Sequence, residues 1–77
     1  MELRDLILLR ELDERGSLTA VARATQVTPS AVSQRIRSLE RTIGLPLTEP
    51  VGRGVRLTEA GRLLAAGAIE VAAVVAR

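Results

Sequence analysis

Between Val27 and Ile43 the chain places Ser30, Gln34, Arg37 and Arg41 at spacings of i, i+4, i+7 and i+11, with Ser33 beside them. On a helix, at about 100° per residue, these five side chains share one face. Their chemistry is of one kind: hydroxyl, amide and guanidinium groups that make hydrogen bonds and carry positive charge, with no acid among them. A glutamine amide pairs bidentately with adenine at N6 and N7, and an arginine with guanine at O6 and N7, each giving about 1–3 kcal/mol of discrimination. Hydroxyls read base edges or phosphates. Taken singly, each residue would more commonly sit on a solvated surface. Converging on one narrow cationic face, they suit the major groove of duplex DNA, with Ser30, Ser33, Gln34 and Arg37 as base readers and Arg41, three turns in, as a phosphate contact.

The elements that must position this face are legible around it. Thr28 is a good N-cap and Pro29 occupies the first helical position, where its missing N–H does no harm. Val32, Ile36, Leu39 and Ile43 fall within roughly a 60° arc on the other side, with Ala31 at its margin. Glu40 points away from the cationic face, and Arg35 lies near the buried margin, suited to a salt bridge or the backbone. Thr28 and the helix start at Pro29 also offer amide donors to a phosphate. Gly44 suits a left-handed cap, and Pro46 prevents continuation. Upstream, residues 3–14 lack Gly and Pro and read as a helix ended by Arg15-Gly16. Leu6, Leu9 and Leu12 are expected in a core, while Leu3, Ile7 and Leu8 spread the apolar surface wider, toward a broad buried face or another subunit. Ser17 caps a short helix over Leu18 to Ala24, whose Leu18, Val21 and Ala22 are apolar and whose alanines permit close approach. Thr25 to Thr28 form the turn. Two helices joined by so short a turn, the second cationic, make the helix-turn-helix pattern.

Downstream, Leu47-Thr48-Glu49 and Val55-Arg56-Leu57 are strand-like, with turn residues from Pro50 to Gly54 between them. The resulting ribbon would present Arg53 and Arg56 to phosphates or a minor groove; the bland alternative is a solvated hairpin. Thr58 caps a last helix with Glu59 in its first turn. From Leu63 to Ala76 only Glu70 is charged. That run is too short for a bilayer, which takes about 20 residues, and too apolar to lie exposed on a monomer. It reads as a dimerisation helix using Leu63, Leu64, Ala68, Ile69, Val71, Ala72 and Val75, with Gly61 and Gly67 tolerated where helices pack closely.

Composition narrows the classes. Seventy-seven residues make one small domain, and with 0% aromatics its core must be Leu, Ile, Val and Ala, which favours a partner subunit. Cysteine and histidine are both absent, so no disulfide, thiolate metal site or other cofactor is expected. The hydroxyls lack a base to activate them and no glycine-rich phosphate loop is present, which excludes a recognisable catalytic site. The opening residues are unlike a signal peptide or membrane span, making the cytoplasm the expected location and membranes no partner. All 11 basic residues are Arg, and the pI near 11.0 overstates a net charge of only +2. Its distribution says more. Residues 1–26 hold four Arg against five acids, residues 27–57 five against two, and residues 58–77 two of each. The excess cation falls on the proposed reading helix and the segment after it, as in a nucleic-acid footprint.

Five blocks stand in order along the chain: Leu3-Arg4-x-Leu6; Gly16-Ser17-Leu18-Thr19 with Ala22; Val27-Thr28-Pro29-Ser30-Ala31-Val32-Ser33-Gln34-Arg35-Ile36-Arg37-x-Leu39-Glu40; Gly44-Leu45-Pro46-Leu47; and Gly52-Arg53-x-Val55-Arg56-Leu57-Thr58-Glu59-Ala60-Gly61. The set resembles the N-terminal DNA-binding domain of LysR-type transcriptional regulators over essentially the whole chain. That resemblance implies a mainly α fold: a winged helix-turn-helix of three helices and a two-stranded wing over residues 1–57, then a long linker and dimerisation helix over 58–77. It implies an effector-binding domain of periplasmic-binding-protein type in longer members, absent from this chain. Departures are visible. The family usually has an aromatic where Leu18 stands, a leucine at Thr25, and Leu-Phe-x-Arg where this chain reads Leu47-Thr48-Glu49-Pro50, which removes a core aromatic and a wing cation. Pro29-Ser30 and Gln34-Arg35 stand where the usual orders are Gln-Pro and Arg-Gln. Pro29 to Arg35 resembles a branch that includes regulators of amino-acid export. The expected function is a sequence-specific transcription regulator that binds double-stranded, dyad-symmetric operator DNA as a homodimer, or as a higher oligomer in a longer protein. The alternative is a dimeric winged-helix protein-interaction adaptor without specific DNA readout.

Overall fold

The computed structural model describes residues 2–75, with side-chain surroundings described through residue 67. Helix α1 runs Leu3–Arg15, α2 Leu18–Thr25, α3 Pro29–Ile43, strands β1 Thr48–Val51 and β2 Gly54–Leu57 follow, and α4 spans Glu59–Val75. These elements reproduce the expected order, and they enclose one core.

The start of α1 is held by the Asp5 carboxylate, which accepts from the Glu2 N–H at 3.2 Å. Its end is the left-handed Gly16 (φ 73°), whose N–H donates to the Leu12 carbonyl at 2.8 Å. Leu8, Leu9 and Leu12 are its buried residues, while Leu6 is only half-buried. The expected core trio therefore shifts from Leu6 to Leu8. Leu8, Leu9 and Leu12 centre on one helical direction, from which Leu6 is turned by roughly 110°. Asp5 lies on that same side one turn earlier, which is what lets it reach another helix.

In α2 the Ser17 hydroxyl accepts from the Ala20 N–H at 3.0 Å, and Val21 and Ala22 are buried. The helix ends on Gln26 in the left-handed conformation (φ 60°) without a glycine. Thr25 is half-buried and donates its hydroxyl to the Val21 carbonyl at 2.7 Å. Three residues then lead into α3, which supplies Val32, Ile36 and Leu39 to the core and ends on Gly44 (φ 82°). The core also takes Leu47, Leu57 and Ala65, with Leu18, Ile43, Val55, Ala60 and Leu64 packed partly against it.

The ribbon is longer and its turn tighter than expected. Strands β1 and β2 are antiparallel with Thr48 opposite Leu57, Glu49 opposite Arg56, Pro50 opposite Val55 and Val51 opposite Gly54. Pro50 and Val51 thus belong to a strand, and the turn shrinks to Gly52-Arg53. Proline is tolerated there because β1 pairs with β2 alone, so a missing N–H leaves no ladder broken. Gly52 has φ 57°, as a first turn residue does in the hairpin turns that match strand twist. The ribbon is pinned to the α1–α2 corner: the Val55 N–H donates to the Gly16 carbonyl at 3.1 Å, and a Cβ on Gly54 would come within 2.7 Å of that same oxygen.

Leu47 is the joint between the elements. Its side chain is fully buried. Its N–H donates to the Glu40 carboxylate at 2.7 Å, and its carbonyl accepts from the Thr58 N–H at 3.0 Å. Thr58 in turn donates its hydroxyl to the Pro46 carbonyl at 2.7 Å and accepts from the Gly61 N–H at 3.2 Å, capping α4. A Cβ on Gly61 would collide with the Leu47 carbonyl oxygen and stand 3.2 Å from the Leu57 Cβ. Gly61 is thus a site of close approach, whereas Gly67 has open space around its Cα in the subunit. Helix α4 packs along α1. Its first turns are core, through Gly61, Leu64 and Ala65, yet Leu63 is 69% exposed. The side chains of Ala68, Ile69, Val71, Ala72 and Val75 lie outside the described residues. No helix among the described residues is long and apolar enough to cross a membrane.

Candidate nucleic-acid interface

Burial of Val32, Ile36 and Leu39 orients α3, and the opposite face is left to solvent. Ser30, Gln34, Arg37 and Arg41 are exposed on it, and Ser33 is half-buried toward the wing. The Arg37 guanidinium donates to the Ser33 hydroxyl at 2.6 Å, so these two side chains act as one unit before any ligand arrives. At the helix start Thr28 and Pro29 are both exposed. The Thr28 hydroxyl accepts from the Ala31 N–H at 3.1 Å, and Pro29 has no N–H. Of the first amides, that of Ser30 is left to meet an anion.

The flanks of α3 are each tied to a neighbour by a charged group. On one side the Arg35 guanidinium meets Asp5 of α1 at 3.2 Å, with the carboxylate 20% exposed. On the other, Glu40 reaches the Leu47 amide. Arg35 was expected at the buried margin, and it serves as the strut between α1 and α3. The role of Glu40 is not legible from the helix pattern, which shows only that it avoids the cationic face. Between α3 and the ribbon runs a groove of about 140 Å³ lined by Leu18, Ser33, Ile36, Arg37, Glu40, Thr48 and Val55. Leu18 and Thr48 stand where the sequence lacks an aromatic, and their smaller side chains leave this space unfilled.

The wing divides its two arginines. Arg53 sits exposed in the turn at the tip. Arg56 lies on the ribbon face opposite the inward-packed Val55 and Leu57, and its Nε meets the Glu49 carboxylate at 2.6 Å. The sequence pattern marks Glu49 only as a strand position. The pairing depends on the two-residue turn: with the longer turn the pattern predicts, Thr48 and not Glu49 would stand across from Arg56.

Ion pairing sorts the guanidiniums of the whole domain. Arg4 pairs with Glu2, Arg10 with Glu14, Arg15 with Glu11, Arg35 with Asp5 and Arg56 with Glu49. Arg37, Arg41 and Arg53 have no carboxylate partner among the described residues. Arg23 on α2 and Arg62 on α4 also lack a carboxylate partner there, Arg62 donating instead to the Leu57 carbonyl at 2.9 Å. On the outer face of α3 and at the wing tip the three unpaired guanidiniums make the local field positive despite the small net charge.

Three helices, the second and third joined by a three-residue turn, followed by a two-stranded ribbon, define a winged helix-turn-helix. The family described as bacterial regulatory helix-turn-helix proteins, lysR family, matches residues 3–62. The chain belongs to that family. It is 42% identical over 62 residues to a probable HTH-type transcriptional regulator, LtrA, of Klebsiella pneumoniae, covering 80% of this chain and 20% of that protein. Full-length LysG from Corynebacterium glutamicum with bound effector Arg superposes with a TM-score of 0.89 at 31% identity, over 99% of this chain and 26% of that one. The BenM DNA-binding domain in complex with benA site 1 DNA superposes with a TM-score of 0.87 at 31% identity, over 97% of this chain and 84% of that one. The chain spans about a fifth of the length of the curated regulator LtrA.

Proposed function

We propose that the chain is the DNA-reading part of a transcriptional regulator, acting in the cytoplasm as a homodimer on a dyad-symmetric operator. Residues 1–57 form the reading unit, and residues 58–77 the helix that pairs two copies; a longer protein could assemble further. The observation that carries this reading is the sorting of charge. Both acids of residues 27–57 are engaged, Glu40 by the Leu47 amide and Glu49 by Arg56, while Arg37 and Arg41 are left without a carboxylate partner beside Ser30, Ser33 and Gln34, and Arg53 likewise at the wing tip. In this reading Gln34 and the Arg37–Ser33 unit meet base edges in the major groove, and Ser30 meets an edge or a phosphate. Thr28 and Pro29 bring the α3 N-terminus to the backbone, Arg41 contacts phosphate, and Arg53 and Arg56 of the wing lie beside it. Leu63 and Leu64, with Ala68, Ile69, Val71, Ala72 and Val75, form the pairing surface of α4, which leaves Leu64 shared with its own core.

Salt-dependent binding to duplex DNA tests the proposal: log affinity should fall linearly with log[salt], by roughly 0.9 for each phosphate neutralised. Selection from random duplexes would supply the operator. Binding that ignores salt, or a double variant Gln34→Ala, Arg37→Ala that keeps its sequence preference, would sink it in favour of a protein-interaction adaptor. The role of α4 is tested by removing residues 68–77, a cut that spares the core residues Leu64 and Ala65. The shortened chain should sediment as a monomer and bind the operator much more weakly; a persistent dimer would refute the pairing role.

A further inference from the structure

The cross-strand pair of the wing has a consequence for how strongly this surface grips DNA. Glu49 and Arg56 are directly opposed in the β1–β2 register, on the ribbon face turned away from the core, at 2.6 Å. Their side chains are 43% and 65% exposed, respectively. Such an exposed pair is weak and exchanges readily with solvent and competing ions. A phosphate is a competing anion of the same kind, binding the guanidinium through the same paired N–H donors. Arg56 cannot serve both carboxylate and phosphate at full strength. Glu49 also holds a negative charge on the same ribbon as the tip cation Arg53, and it acts on any phosphate that comes within about a Debye length of it.

We infer that Glu49 is an affinity-setting residue of the wing: it holds Arg56 in an internal ion pair, so that Arg53 is the cation the wing offers freely and Arg56 engages a phosphate only by displacing Glu49. This rests on the proposed DNA-binding function. It revises the equal roles first expected of Arg53 and Arg56, and it makes the wing a deliberately weakened clamp, leaving more of the discrimination to α3.

A double-mutant cycle in the 77-residue chain tests it, using one labelled duplex selected by the chain from a random pool and one mixed-sequence duplex of equal length. Glu49→Gln preserves the side-chain shape and frees Arg56. It should tighten binding to both duplexes by up to about fivefold per half-site, the scale of one exposed ion pair. The slope of log affinity against log[salt] should steepen by roughly 0.9 per half-site. Arg56→Gln should then cost more affinity in the Glu49→Gln background than in the wild type, and should return the slope to its original value. Long-range charge alone gives equal costs in both backgrounds, since its contributions add. Equal costs, or a Glu49→Gln variant with unchanged affinity and slope, overturn the inference while leaving wild-type DNA binding intact. A wild-type chain that binds neither duplex in a salt-dependent way overturns the proposed function, and this inference with it. Thermal melting of each variant separates these outcomes from loss of the fold.

Discussion

Glu40 is the residue whose removal should expose how the reading helix is held. Its carboxylate accepts from the Leu47 N–H at 2.7 Å, and Leu47 is 0% exposed. Glu40→Ala removes a charge-assisted hydrogen bond, a class of interaction that contributes about 1.5–3 kcal/mol. Because Glu40 itself is half-buried, water can partly replace it, and we take about 1.5–2.5 kcal/mol as the expected loss. In a domain of this size each kcal/mol lowers Tm by about 4–8 °C, so the variant should melt about 6–20 °C lower. Glu40→Gln keeps a carbonyl oxygen at the acceptor position and should lose about half as much. Melting followed by far-ultraviolet circular dichroism, at one fixed protein concentration because a dimer's Tm depends on it, measures both. An alanine variant that melts within about 2 °C of the wild type would refute the reasoning, for it would mean that the Leu47 amide finds an equally good partner in water.

Four further outcomes follow from particular positions. Gly61→Ala should destabilise by about 1–3 kcal/mol or more, since the added methyl meets a backbone oxygen that cannot rotate away; a denaturant midpoint equal to wild type would contradict the close approach. Gln26→Gly should stabilise by about 0.5–1 kcal/mol, relief of a left-handed L-residue outweighing the extra freedom of the unfolded chain; a lowered midpoint would show that the exposed glutamine side chain does more than cap. Arg41→Gln should weaken binding to all duplexes alike and flatten the salt slope by roughly 1 per half-site, whereas Gln34→Ala should relax discrimination at one base position by about 1–3 kcal/mol. A panel of single-base operator variants distinguishes the two, and a base-specific effect of Arg41→Gln would reassign it.

What was legible beforehand followed from local rules. Helix limits could be read because Ser17, Thr28 and Thr58 sit at N-caps and Gly16 and Gly44 at left-handed C-caps, each satisfying backbone groups through its own chemistry. The buried face of α3 followed from period alone. Less was legible where long-range geometry decides. Five apolar residues crowd the ten positions after Met1, so period could not choose Leu8 over Leu6; the choice is made by which neighbours pack against α1. Pro50 read as a turn residue because proline disrupts central strands, but β1 has a free edge. The struts Asp5–Arg35 and Glu40–Leu47, and the pair Glu49–Arg56, join residues whose proximity exists only once the fold has formed.

The path that links reading to pairing is short, and this constrains how a dimer could work. Helix α3 holds Leu47 through Glu40, and Leu47 holds α4 through the Thr58 amide and through contact with Gly61. The connection is bonded toward both helices: the Leu47 amide to Glu40 of α3, and the Pro46 and Leu47 carbonyls to Thr58 at the start of α4, while Gly61 permits backbone contact that a side chain would prise apart. A dimer formed by α4, as proposed, would therefore set the distance between its two α3 helices through rigid parts. Half-site spacing should then be narrowly selected, near one helical turn of DNA or a multiple of it, about 10–10.5 base pairs. Inserting or deleting two to five base pairs at the centre of a selected operator should abolish tight binding to the duplex while leaving the single-half-site affinity unchanged. If affinity tolerated such insertions, the Leu47 joint would have to yield, and the coupling of α3 to α4 drawn from these contacts would be wrong.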